Sequence, residues 1–86
     1  MEYQYYETPK QFEERTGKPC SDSILVFYRL KDFAGKSATG PWCSAMLGSL
    51  RRPGSFRREM VQAVIAYPPT EPDRDVSFFI KGETSY

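Results

Sequence analysis

A chain of 86 residues carrying a formal net charge of +1, with neither histidine nor asparagine, has room for one domain and one small core. Without histidine there is no Ser-His-Asp or Cys-His pair and no imidazole metal ligand, and without asparagine there is no N-glycosylation. The Asp and Glu residues fall in predicted turns and on one exposed helix rather than as a facing pair, so an enzyme is not expected.

Aromatics make up 15% of the chain, as six Tyr, six Phe and one Trp. Rings of this size fill a small core efficiently, and we read them that way in preference to a stacking surface for bases. The opening MEYQYYETPK has no basic or apolar leader character. The longest apolar run, ILVFY over 24–28, is too short to span a bilayer. A soluble, cytoplasmic protein without membrane contact is the expectation, with Cys20 and Cys43 as reduced thiols. Two cysteines without CxxC spacing suggest no zinc site, and no cofactor is expected.

In chain order, EYQYY (2–6) alternates weakly and suits a short edge strand or a clasp. TPKQFEERTGKP reads as a complete short helix. Thr8 is a good N-cap, Pro9 suits the first turn, and Gln11 completes a capping box. Gly17 suits the left-handed residue that ends a helix, and Pro19 blocks continuation. Phe12 is its only large apolar residue, so it should lie on the surface, pinned by Phe12 with help from Tyr6.

SDSILVFYRL is a polar turn followed by a run of β-branched and aromatic residues. It predicts a strand over 24–30, buried on both faces and therefore central. GPWCSAML (40–47) predicts a second strand whose far end turns helical. In SFRREMVQAVIAY helical and strand spacings compete. We assign a basic turn or single helical turn to 55–59 and a strand to 60–67. PPTEPDRD is a rigid turn, VSFFIK (76–81) a last strand, and the tail over 82–86 should fray. The sum is an α+β domain: an antiparallel sheet of three or four strands with one or two short helices. Ile24, Val26, Val64, Ile65, Phe78 and Ile80 should form its core, with Trp42 packed at one edge.

The letters GKS at 35–37 end a nucleotide-binding P-loop, whose first glycine would fall at position 30. That position is Leu30, and Gly40-Pro41 follows too soon for the required helix. The segment reads as a flexible connection instead. It belongs, however, to an uneven charge distribution. Residues 1–28 carry a net −2 and residues 59–86 a net −3, whereas 29–58 carry +6. The cations of that middle third are Arg29, Lys31, Lys36, Arg51, Arg52, Arg57 and Arg58, against Asp32 alone.

Four of these arginines surround a Pro-Gly turn in RRPGSFRR, and arginine forks match phosphate or carboxylate bidentately. Arg29, Lys36, Arg51, Arg52, Arg57 and Arg58 are therefore the candidate site for an anionic partner, the alternative being solvated surface charge that keeps a small domain soluble. That partner is an acidic protein surface, nucleic acid, or a phosphorylated or nucleotide signal. The near-neutral total charge counts against a duplex binder.

The succession YYETPKQFEERTGKPCSDSILVFYR, a Trp42-bearing strand and VQAVIAYPPTEPD resembles short proteins encoded by phages and prophages of gut bacteria. Those open with a Thr-Pro-led helix ending in Thr-Gly-Lys-Pro, then run strand, Trp-containing strand, apolar strand and proline-rich turn. The likeness covers most of 5–73 and rests on caps, turns and core positions. The present chain departs from it by continuing into VSFFIK. No binding residue is carried over. The resemblance implies a setting inside a bacterial host and a protein that binds and disables a host component, such as a defence system in the manner of an anti-CRISPR inhibitor.

Overall fold

The structure, a computed structural model, describes residues 6–31, 40–57, 60–67, 71–72 and 86. Two short helices, α1 (Pro9–Thr16) and α2 (Leu47–Arg51), accompany three strands, β1 (Leu25–Leu30), β2 (Cys43–Met46) and β3 (Val61–Ile65). The strands form one antiparallel sheet in the order β2-β1-β3. This is the small α+β fold expected from the residue pattern. Among the described residues no helix is long and apolar enough to cross a membrane.

The signals at the ends of α1 act as local chemistry dictates. Thr8 Oγ1 accepts from Gln11 N at 3.1 Å, and Gln11 Oε1 accepts from Thr8 N at 3.0 Å. Gly17 takes φ 71° and donates its N–H to Glu13 O at 2.9 Å, a backbone conformation that a Cβ would strain. Thr8→Ala is expected to lower stability by about 0.5–2 kcal/mol, read from the denaturant midpoint at unchanged slope. An unchanged midpoint would show that the cap holds nothing.

β1 is central, and its middle is covered on both faces: Val26 and Phe27 point opposite ways and are both buried. Its ends are not, since Leu25 and Leu30 remain exposed. One face carries the larger core of Cys20, Val26, Leu47, Leu50, Val61, Ala63, Ile65 and Tyr86, with Phe12, Ile24, Tyr28 and Tyr67 packed against it. The other carries Tyr6, Phe27 and Val64, with Trp42 and Ala66 alongside. Val26, Val64 and Ile65 are thus core residues as expected, Ile24 is partly buried, and Trp42 packs on the smaller cluster.

Phe12 and Tyr6 do not act together as expected; they serve opposite faces of the sheet. The chain passes from one to the other along the outer edge of β3, where Ile65 N donates to Glu7 O at 2.8 Å. A second departure concerns Tyr86. Placed by sequence in a fraying tail, it is buried, and its hydroxyl donates to Phe56 O at 2.8 Å. A ring large enough to enter the core outweighs the entropy of a terminal residue. Of the predicted edge strand at 2–6, Tyr6 is described and lies in no strand. Residues 2–5, the GKS letters, the strand at 76–81 with Phe78 and Ile80, and residues 82–85 lie outside the described residues.

Candidate partner-binding loop

The segment between α2 and β3 begins at Arg52 and turns at Pro53-Gly54, Gly54 taking φ 86°. Four hydrogen bonds brace it. Ser55 N donates to Arg52 O at 3.0 Å and Ser55 Oγ to Ser49 O at 3.0 Å. Met60 N donates to Arg57 O at 3.0 Å, and the Tyr86 hydroxyl holds the Phe56 carbonyl. The Phe56 ring stands 6.4 Å from that of Tyr28, yet is 48% exposed. The loop's described residues therefore lie over the Tyr28 side of the sheet, with the backbone held at Arg52, Ser55, Phe56 and Arg57.

The six candidate cations separate. Arg52 and Arg57 are exposed, and among the described residues no hydrogen bond or ion pair holds either side chain. Arg51, one residue earlier, is tied down. Its Nη1 donates to Cys20 O at 3.2 Å and lies 3.3 Å from Asp22 Oδ1, and its Nη2 is 4.0 Å from Glu13 Oε2. Glu13 Oε2 also accepts from Cys20 N at 2.9 Å. Arg51 thus ties the end of α2 to the turn that follows α1. Lys36 and Arg58 lie outside the described residues.

Arg29 stands apart. It is buried, on the face of the sheet away from Tyr28. Its Nε donates to Gln62 Oε1 at 2.7 Å, from the residue opposite it in the register, and its guanidinium lies 4.6 Å from the centre of the Trp42 ring. The Trp42 Nε1–H beside it is buried without an acceptor among the described residues. Arg51→Ala is expected to cost about 0.5–1.5 kcal/mol, because a backbone carbonyl loses its donor, while Arg52→Ala should leave stability within about 0.5 kcal/mol. Equal thermal midpoints for the two variants would refute this division.

Two further groups of ionisable side chains are in place. The Glu7 carboxylate is only 1% exposed and accepts from Arg15, Nη2 to Oε1 at 2.8 Å and Nε to Oε2 at 3.1 Å. Burial, then the charge of Glu7 and a hydrogen bond to it, push the Tyr67 hydroxyl above the ordinary tyrosine range. Such a buried charge is tolerated because it is paired. Nothing in the sequence marks this partnership, since Glu7 and Arg15 are not at helical spacing and Tyr67 is far along the chain.

Cys20 and Cys43 are both free thiols, Cys20 buried and Cys43 exposed. Burial raises the Cys20 thiol above its ordinary range, and the nearby Arg51 charge opposes this less strongly. Cys20 and Tyr67 thus share one sign. The neutral forms are favoured in the fold, so their contribution is complete at neutral pH and is lost as pH rises through the raised values. Stability should fall from about pH 9 upward, beyond the ordinary cysteine pKa near 8.5. Thiol reagents at pH 8 should label Cys43 at once and Cys20 only through opening of the fold. Equal labelling rates would contradict this arrangement.

Among the described residues no group of three His, Cys, Asp or Glu side chains is placed to hold a metal ion. No protein-family model matches the chain, and neither the curated proteins nor the solved structures contain a match to it.

Proposed function

We propose that this is a non-enzymatic binding protein whose α2–β3 loop docks on an acidic surface of a bacterial protein or protein–nucleic-acid complex. The carrying observation is a contrast within one run of arginines. Arg51 is held by the fold, whereas Arg52 and Arg57 project from the same braced loop with no described side-chain partner. A backbone held at several points, presenting arginine forks with no partner among the described residues, loses little entropy when it meets carboxylates.

The resemblance to phage-encoded proteins supports a role as an antagonist of a host factor, defence systems included. Such a role needs a surface and no reacting group. A second reading is favoured by Phe56, an exposed ring beside Arg57. That pair suits a nucleic-acid base stacked beside its phosphate.

Affinity capture from bacterial lysates, with the Arg52→Glu/Arg57→Glu protein as control, tests the proposal. A stoichiometric protein retained by the original chain and lost from the double variant is the expected result. Its absence from several hosts counts against the reading. Binding to protein-free DNA or RNA, with a log–log salt slope near about −0.9 per neutralised duplex phosphate, would replace it with the second.

A further inference from the structure

β1 divides its backbone groups between two neighbours. Odd-numbered residues serve β3: Lys31 N donates to Met60 O at 2.9 Å, and Leu25 O accepts from Ala66 N at 3.4 Å. Even-numbered residues serve β2. Leu47 N donates to Ile24 O at 2.9 Å, in the register that pairs Val26 with Ala45 and Tyr28 with Cys43. Because bonded and non-bonded pairs alternate in an antiparallel ladder, Cys43 and Ala45 direct their backbone groups at β1. Ser44 and Met46 direct theirs outward.

The two outer edges of the sheet differ. That of β3 receives Glu7, bonded through Ile65 N. That of β2 is open. Cys43, Ser44 and Met46 are exposed, and among the described residues no hydrogen bond reaches the outward groups of Ser44 or Met46. The strand reads CSAM, without the charge or proline that commonly blocks edge pairing. Beside it, the register partners Leu25 and Met46 are both exposed, 40% and 51%.

The open edge also leads to the basic loop. Cys43 pairs with Tyr28, whose ring meets Phe56, the neighbour of Arg57. Lys31 follows β1 at the same end of the sheet. β2 is antiparallel to β1, so a strand added antiparallel to β2 runs from the Met46 end toward the Cys43 end and its cations.

Resting on the loop reading above, we infer that the partner presents an extended segment that adds to β2 as a further antiparallel strand. An uncharged stretch pairs with the outward groups of Ser44 and Met46, and carboxylates immediately C-terminal to it meet Arg57. Backbone bonds supply affinity in this mode, and the charge order supplies direction.

The probe is the synthetic peptide acetyl-TVTVEEDE-amide, with acetyl-EEDETVTV-amide as control, titrated into the isotope-labelled full chain. The Ser44 and Met46 amides should shift and exchange with solvent about tenfold more slowly. Cys43 and Ala45, already bonded to β1, should change little, and the control peptide should bind more weakly. Ser44→Pro removes one outward N–H without touching the ladder to β1, so it should abolish binding at unchanged circular dichroism. The exchange pattern of the unaltered protein gives the same answer should that variant not fold.

Peptide binding that is lost in Arg52→Glu/Arg57→Glu protein, yet leaves Ser44 and Met46 exchange unaltered, overturns strand addition and keeps the loop reading. Equal protection by both peptides overturns the link between edge and loop. Protection that grows with protein concentration alone makes a second copy the occupant and overturns the proposal. Failure of the peptide to bind at millimolar concentration overturns strand addition, while the loop reading still stands or falls on lysate capture.

Discussion

Replacing Arg52 and Arg57 together by glutamate is expected to leave the protein folded and to weaken its hold on an acidic partner by several kcal/mol. The two effects separate because of where the side chains stand. Both are exposed and neither has a described intramolecular partner, so among the described residues the fold loses no hydrogen bond or ion pair. Surface changes of this kind typically cost under about 0.5 kcal/mol, a shift of only a few degrees in melting temperature for a domain of this size. At an interface, each reversed charge faces carboxylates that previously attracted it. Titration calorimetry with the captured partner, beside a thermal melt, gives both numbers. A folded double variant that binds as tightly as the original protein removes the loop from the function.

The largest expected effect on stability is that of Val26→Asp. Val26 is fully buried at the centre of the sheet, between its register partners Ala45 on β2 and Ile65 on β3. A carboxylate there loses its water and gains no partner, a penalty of several kcal/mol or more. A domain of this length has about 4–13 kcal/mol of stability to lose. The variant should show disordered far-ultraviolet dichroism and no cooperative melt. Val26→Ala, which leaves a void but no charge, should remain folded at a cost of about 2–3 kcal/mol. A Val26→Asp protein melting like the original would remove β1 from the centre of the core.

The parts of this fold that could be read from sequence are those fixed by near neighbours. Thr8, Gln11 and Gly17 set the ends of α1 through bonds spanning a few residues, so their chemistry is visible in the letters. The apolar run within 24–30 could be covered on both faces only as a middle strand. GPWCSAML showed both its strand and its helical end, observed as β2 followed by α2. The competing spacings in 60–67 resolve to a strand because β1 requires a neighbour on its second side.

The candidate site was less legible. Arg51 and Arg52 are identical in type and adjacent, and what divides them is Cys20 O and Asp22, some thirty positions earlier. Arg29 looked like one more cation of a basic region. Strand alternation turned it onto the opposite face from Tyr28, where the register set Gln62 across from it. Tyr86 braces the loop from the far end of the chain, a contact no local pattern announces.

The bond between Glu7 O and Ile65 N also bears on how the domain comes into being at the ribosome. As the nascent chain emerges from its N-terminus, α1 and the β1–β2 pair are available early. The strand that receives Glu7 and pairs with the second edge of β1 is made later. Until then the central strand has one edge and two apolar faces open, a state prone to pairing with other chains. Contacts this distant in sequence also slow folding itself. The nascent domain therefore most needs a chaperone in the interval after β1 has left the ribosome and before β3 has paired with it.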